Sequence, residues 1–203
     1  MILYDISREI LSCDVYPGDP EPKCTFIKRI NDDCEYNLSM ISMSSHAGTH
    51  IDAPLHFDNA GSPIMNMKLS VFFGQCTVVS VDGILTGEDM DYLLPLCSKR
   101  ILFKGGGKAF LSNSAAFVLA HSDAVLVGTD APSIAPDFDE AQTHRELAAG
   151  CVAVLENLNL SSVSDGEYTL CAFPLKIKFA EVAPCRAVLL QQEKGLRRDS
   201  KYL

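Results

Sequence analysis

The stretch THRELAAGCVAVLENL, residues 143–158, decides the fold class. Thr143-x-x-Glu146 has the form of a capping box that opens a helix, and Gly150 follows the last apolar turn as a stop. The spacing therefore predicts a short helix over 143–149 that runs directly into a strand, CVAVL from Cys151. A helix abutting a strand in this way belongs to a mixed α/β architecture.

Outward from this stretch, further strands are expected at ILYDI near the start, over 38–44 with alternating character, and at QCTVVSV from Gln75. RILF from Arg100, AVLVG from Ala124, YTLCAF from Tyr168 and AVLL from Ala187 complete the set. Two other helices are expected over 86–94, opening on Thr86-x-x-Asp89, and over 112–120. Pro and Gly punctuate the chain at short intervals, and no repeat, low-complexity tract or dividing linker interrupts it. The expectation is one sheet-rich α/β domain spanning 1–203, with a mixed sheet and few helices.

The chain has 203 residues, 47% apolar and 21% charged, which supplies a substantial core and excludes the disordered class. Its formal charge of −9 leaves no basic stripe for nucleic acid, and the cluster Lys194, Arg197, Arg198, Lys201 reads as a solvated chain end. No run approaches the roughly 18 apolar residues of a membrane span. The opening MILYDISREI puts acids where a signal peptide has its basic and apolar regions, so a cytoplasmic location without membrane partners is expected. Eight cysteines without a C-x-x-C pair read as reduced, mostly buried thiols with no part in ligation or catalysis.

Histidine carries the functional information. Three of five fall within SSHAGTHIDAPLHF, residues 44–57. His46 and His50 are four apart, but Gly48 between them and Pro54 beyond argue for a bent loop leading into an extended segment rather than a helix. In extended backbone His50 and Asp52 share a side, and Gly48 lets the chain fold so that His46 joins them. Two imidazoles and a carboxylate are zinc ligands and also suit manganese or iron. Taken singly, each histidine reads as a hydrogen-bonded, partly buried side chain; the clustering with an aspartate is what points to metal. Glu156 closes the apolar run CVAVL, where a carboxylate is costly unless paired, protonated or metal-bound, although the end of a strand also suits an exposed acid. His144 taken alone is a first-turn helix residue, and His121 reads as a structural histidine ending its helix.

The run from His46 to Phe57 resembles the signature of the cyclase and kynurenine formamidase family, H-x-G-T-H-x-D-x-P-x-H-F. VYPGD at 15–19, VGTDAPS at 127–133, the stretch from Thr143 and the closing EYTLCAFPLKIKFAEVAPCRAVLL resemble family segments too, so the likeness spans nearly the whole chain. It implies a swivelling β/β/α-like fold and a binuclear metal centre of zinc, in some members manganese. His46, His50, Asp52, His144 and Glu156 stand where the family has its ligands, and His56 where it has its proton donor and acceptor. The implied partner is a small-molecule substrate, the implied reaction hydrolysis of a small amide such as N-formylkynurenine, and the implied assembly a homodimer or homotetramer. Opening of a lactam or lactone ring, a cyclase or dehydratase step, and a metal-binding module without turnover are the alternatives; the last would have no use for His56. Two departures bear on the substrate: Tyr16 stands where the formamidases carry a substrate-contacting Trp, and ILFKGGGK at 101–108 lacks the family's Arg-Thr.

Overall fold

A computed structural model describes residues 1–30 and 34–191 of the chain; the basic cluster at 194–201 lies outside the described residues. In chain order the strands are β1 (Ile2–Asp5), β2 (Lys23–Lys28), β3 (Leu38–Ser42), β4 (His50–Asp52), β5 (Phe73–Ser80), β6 (Ile84–Leu85) and β7 (Arg100–Lys104). There follow β8 (Phe110–Leu111), β9 (Leu126–Thr129), β10 (Ala153–Glu156), β11 (Gly166–Cys171), β12 (Val182–Pro184) and β13 (Val188–Gln191). The helices are α1 (Gly87–Leu93), α2 (Asn113–Ala120) and α3 (Glu140–Ala149).

Nine strands form one mixed sheet in the order β1-β13-β11-β5-β7-β9-β10-β4-β12. Its centre, β5-β7-β9-β10, is parallel because a helix lies between each consecutive pair, and both flanks are antiparallel. The parallel strands are buried on both faces, which is why RILF and AVLE read as apolar runs. The two-residue period divides them between two cores. Ile101, Phe103, Val127 and Val154 pack with Met90, Leu119 and Leu147 of the helices. Leu102, Leu126 and Leu155 pack on the other side with Ile6, Ile51, Phe72 and Leu158. The architecture is thus the expected α/β fold, sheet-rich with few helices.

Local chemistry sets the helix starts. Thr86 and Asp89 form a reciprocal capping box on α1, and Ser112 Oγ accepts from the Ala115 N–H at the start of α2. The box expected at Thr143 is not one. α3 starts earlier, at Glu140, and Thr143 lies fully buried inside it, one turn before Leu147 on the face that meets the sheet. The residues before Thr143 are acidic and polar, so no apolar period marked that first turn; Glu140 there suits the positive end of the helix dipole. Gly150 does end the helix.

The cysteines are less buried than expected: Cys76 is buried, but Cys24 and Cys151 are exposed and the remainder intermediate. Cys151 precedes the strand instead of opening it, in a turn with φ 56°, and is exposed. Among the described residues no helix is long and apolar enough to cross a membrane.

Candidate metal centre

The three residues of β4 are fully buried between β10 and β12, both antiparallel to it. His50 is the register partner of Glu156 and Asp52 that of Val154. Directly opposed residues project to one face, so His50, Asp52 and Glu156 all rise on the side where Val154 meets the helices. α3 lies over that face and adds His144. The four residues are only 3 to 4% exposed.

Gly48 brings in the fifth. It has φ +67°, and a Cβ there would sit 3.0 Å from Ile10 Cγ1 and 3.3 Å from the Arg8 carbonyl oxygen. Only glycine takes both the left-handed backbone and the close approach without strain. The turn returns His46 so that its ring centroid lies 5.0 Å from that of His50. The ligand-type atoms of His46, His50 and Asp52 lie within 4.8 Å of one another, and so do those of Asp52, His144 and Glu156. Asp52 belongs to both sets.

This cluster fits a divalent metal by the way its hydrogen bonds are used. His50 Nδ1 donates to the Gly48 carbonyl at 2.9 Å and His144 Nδ1 to the Glu140 carbonyl at 2.8 Å, which turns both Nε2 atoms inward. His50 Nε2 meets Glu156 Oε2 at 3.3 Å and Asp52 Oδ1 at 3.6 Å; His144 Nε2 meets Glu156 Oε1 at 3.2 Å and Asp52 Oδ2 at 3.6 Å. Yet His50 Nε2 and both Asp52 oxygens have no hydrogen-bond partner among the described residues. Two carboxylates and inward-facing imidazoles, buried together, require positive charge between them.

Without metal, protons fill that place. Burial pushes both imidazoles down, but their close contacts with Glu156 and the two carboxylate charges hold His50 and His144 up at about 9. Burial and the Glu156 charge raise Asp52 to about 7. Against its own burial, Glu156 is held well below the usual carboxylate range by the His144 and His50 imidazoles against it, and it also accepts from the Ile134 N–H at 2.7 Å.

His56 stands beside the cluster. It ends a 3-10 turn, Pro54–His56, with its ring 4.6 Å from His46 and 6.1 Å from His144, and it belongs to neither ligand set. Burial, then the His46 and His144 charges, push it down to about 4. His121 is apart from the site; it caps α2 and donates Nδ1–H to the Phe117 carbonyl.

The cluster forms the floor of a cleft of about 590 Å³ lined by Tyr16, His46, His50, His56, His144 and Glu156 among others. Tyr16 donates its hydroxyl to the Glu140 carboxylate at 3.0 Å, and burial together with that acid pushes the phenol up to about 12. Glu140 is therefore a hinge point: its side chain holds Tyr16 and its carbonyl holds His144.

Several lining residues carried no role in the sequence reading. Phe57 stacks on the His144 ring at 4.5 Å and 28°. Asn157, at φ 58°, donates Nδ2–H to the Gly48 carbonyl and its own carbonyl accepts from Thr49, tying the His50 loop to the end of β10. An Asn directly after the buried strand-end acid was the available signal, since Asn tolerates left-handed backbone. Asp130 accepts from the N–H groups of Gly105, Gly106 and Gly107, which explains the triple glycine: it wraps a carboxylate at the cleft rim.

The fold and this cluster define a class, α/β proteins with a buried His/carboxylate site fit for divalent metal. Similarity to known proteins narrows it. The family model described as "Putative cyclase" matches residues 4–136. The chain is 34% identical to the kynurenine formamidase of Paracidovorax citrulli, covering 93% of this chain and 96% of that one. It is 35% identical to the kynurenine formamidase of Salinibacter ruber, covering 93% and 97%. A solved structure described as a potential metal-dependent hydrolase with cyclase activity superposes with a TM-score of 0.80 at 30% identity, over 95% of this chain and 98% of that one. The chain belongs to the cyclase and kynurenine formamidase family of metal-dependent hydrolases, and it is an enzyme.

Proposed function

We propose that this chain hydrolyses a small-molecule amide at a binuclear metal centre, with N-formylkynurenine as substrate and kynurenine and formate as products. The observation that carries the reading is the shared Asp52: two sets of ligand-type atoms meet at one buried carboxylate whose oxygens accept no hydrogen bond among the described residues. His46, His50 and Asp52 would hold one ion and Asp52, His144 and Glu156 the other, with zinc the expected metal and manganese the alternative. When bound, such ions polarise the scissile carbonyl and make water nucleophilic near neutral pH.

The chain's own groups supply the rest. His56 is neutral at physiological pH, so its ring nitrogen is free to accept a proton from the attacking water and to return it to the leaving amine. Phe57 and the Glu140 carbonyl fix the His144 ring. Tyr16 gives the cleft an aromatic wall. The formamidases at 34 to 35% identity support an amide as the bond cleaved. We further propose that 1–203 acts as a single catalytic domain, that its substrate partner is a small molecule, that it assembles as a homodimer or homotetramer, and that it works in the cytoplasm.

The test is elemental analysis of the purified protein together with hydrolysis of N-formylkynurenine followed by absorbance, beside a small lactam panel. About two ions per chain and formamide turnover are expected. Protein that takes up no zinc, manganese or iron overturns the metal reading; lactam opening without formamide turnover overturns the substrate.

A further inference from the structure

Among the described residues, Arg8 is the one Lys or Arg lining the cleft over the metal cluster. Its root is fixed: the Arg8 N–H donates to Thr49 Oγ1 at 2.8 Å, and Thr49 in turn donates to the Asn157 carbonyl. Thr49 and Asn157 are the chain neighbours of His50 and Glu156, so the Arg8 backbone is tied by hydrogen bonds to the two segments that carry the centre. Its guanidinium donates from Nη2 to the Asp130 carbonyl at 3.2 Å. No carboxylate pairs with Arg8 among the described residues.

The cleft is rich in acids, but all of them except Asp14 are engaged elsewhere. Asp130 is occupied by three glycine N–H groups, Asp19 accepts from Ser44, Glu140 accepts from Tyr16, and Glu156 lies in the cluster. Among the described residues Asp14 alone of the lining acids has no partner, and it does not pair with Arg8. Arg8 also borders a second cleft beside Met43 and Phe173, whose own arginine, Arg186, is paired with Asp5. An arginine anchored through one nitrogen and held out of every ion pair keeps most of its planar fork for a ligand, and that fork matches a carboxylate.

We propose that Arg8 is a specificity-determining residue that receives a carboxylate of the substrate at the cleft mouth while the scissile amide lies over the metal cluster. The inference rests on the amide reading above and adds to it the residue that receives the substrate's carboxylate. The substrates selected are aryl amides bearing an acidic side arm, and neutral aryl amides of the same ring are poor ones.

The experiment uses the full, metal-loaded chain and the variant Arg8→Gln, whose amide can still donate to the Asp130 carbonyl but carries no charge. Three formamides are compared: N-formylkynurenine, its deaminated analogue that keeps the carboxylate, and 2-formamidoacetophenone, which has neither group. For the two carboxylates kcat/KM should fall about 10- to 100-fold, mainly through KM, as expected for loss of a charge-assisted pair. The neutral ketone should change by less than about twofold. An equal fall on all three, or no fall, overturns the proposal. If the wild type cleaves none of them, the amide reading fails and calorimetry decides Arg8 separately. Tighter binding of kynurenine than of 2-aminoacetophenone in the wild type, lost in Arg8→Gln, supports the carboxylate site; equal binding of both by the wild type overturns it.

Discussion

His50 and Glu156 face each other as register partners across the antiparallel pair β4 and β10, with His50 Nε2 3.3 Å from Glu156 Oε2 and both side chains buried. The register of a sheet is set by its hydrophobic pattern, and slipping it by one residue would turn either side chain into the opposite core. The metal cluster is therefore held by the same pairing that holds the fold.

The two carboxylates of that cluster should be the groups that hold two cations near each other. Asp52→Asn and Glu156→Gln keep shape but remove charge, so each is expected to lower metal content, and Asp52→Asn should affect both ions because Asp52 belongs to both ligand sets. Elemental analysis after dialysis against a weak chelator reads this out. Full metal content in both variants would exclude a bridging role.

Stability should depend on pH in opposite ways with and without metal. In the metal-free protein His50 and His144 are raised from 6.5 to about 9, so the folded state binds more protons than the unfolded one. That contribution is fully present below about 6.5 and is lost as pH rises through about 9. His56 is lowered and acts in the other direction, but only between about 4 and 6.5, so it leaves the alkaline window alone. Metal needs the same imidazoles deprotonated, so its affinity rises with pH. From pH 7 to 9 the Tm of metal-free protein should fall while the stabilisation on adding zinc grows. A metal-free Tm that climbs over this window would contradict the arrangement.

Tyr16 is tied to the metal floor through Glu140, which suggests two separable roles. Tyr16→Ala should raise KM for an aromatic substrate more than for an aliphatic one, through lost stacking area. Tyr16→Phe keeps the ring and loses only the bond to Glu140, so it should retain most of the aromatic preference. Equal effects of Tyr16→Ala on both substrate classes would argue against a substrate-facing position.

Much of this was legible because local chemistry and tertiary fold agree. The signature from His46 to Phe57, the strand-end position of Glu156 and the stop at Gly150 all follow from short-range rules, and the structure brings the five expected ligand residues together. What escaped was decided by contacts distant in sequence. The first turn of α3 has no apolar period, and Thr143 is buried by the sheet beneath it, so its polar side chain imitated a cap. The strand expected over 38–44 is β3, but its partner β2 carries no mark, because the residues of that two-stranded sheet are almost all exposed and β2 has no buried face to show in its sequence. Arg8 sits in a segment with no motif, and its place over the cluster depends on hydrogen bonds to residues 41 and 122 positions away.

His56 separates metal binding from turnover. It lies against His46 yet outside both ligand sets, so His56→Ala should keep its metal and lose most of its activity. General acid–base catalysis by a positioned side chain contributes about 100- to 10,000-fold, and kcat should fall by that order with little change in KM. His46→Ala should lose metal and activity together, because it removes a ligand before any proton moves. The sequence alone suggests an imidazole titrating near neutrality, but burial and two neighbouring imidazoles push His56 down to about 4. The acidic limb it contributes to the pH profile should therefore lie well below neutral, and it should disappear in His56→Ala. A His56→Ala protein isolated without metal would make His56 a ligand; one that is metal-loaded and fully active would mean that another group moves the proton.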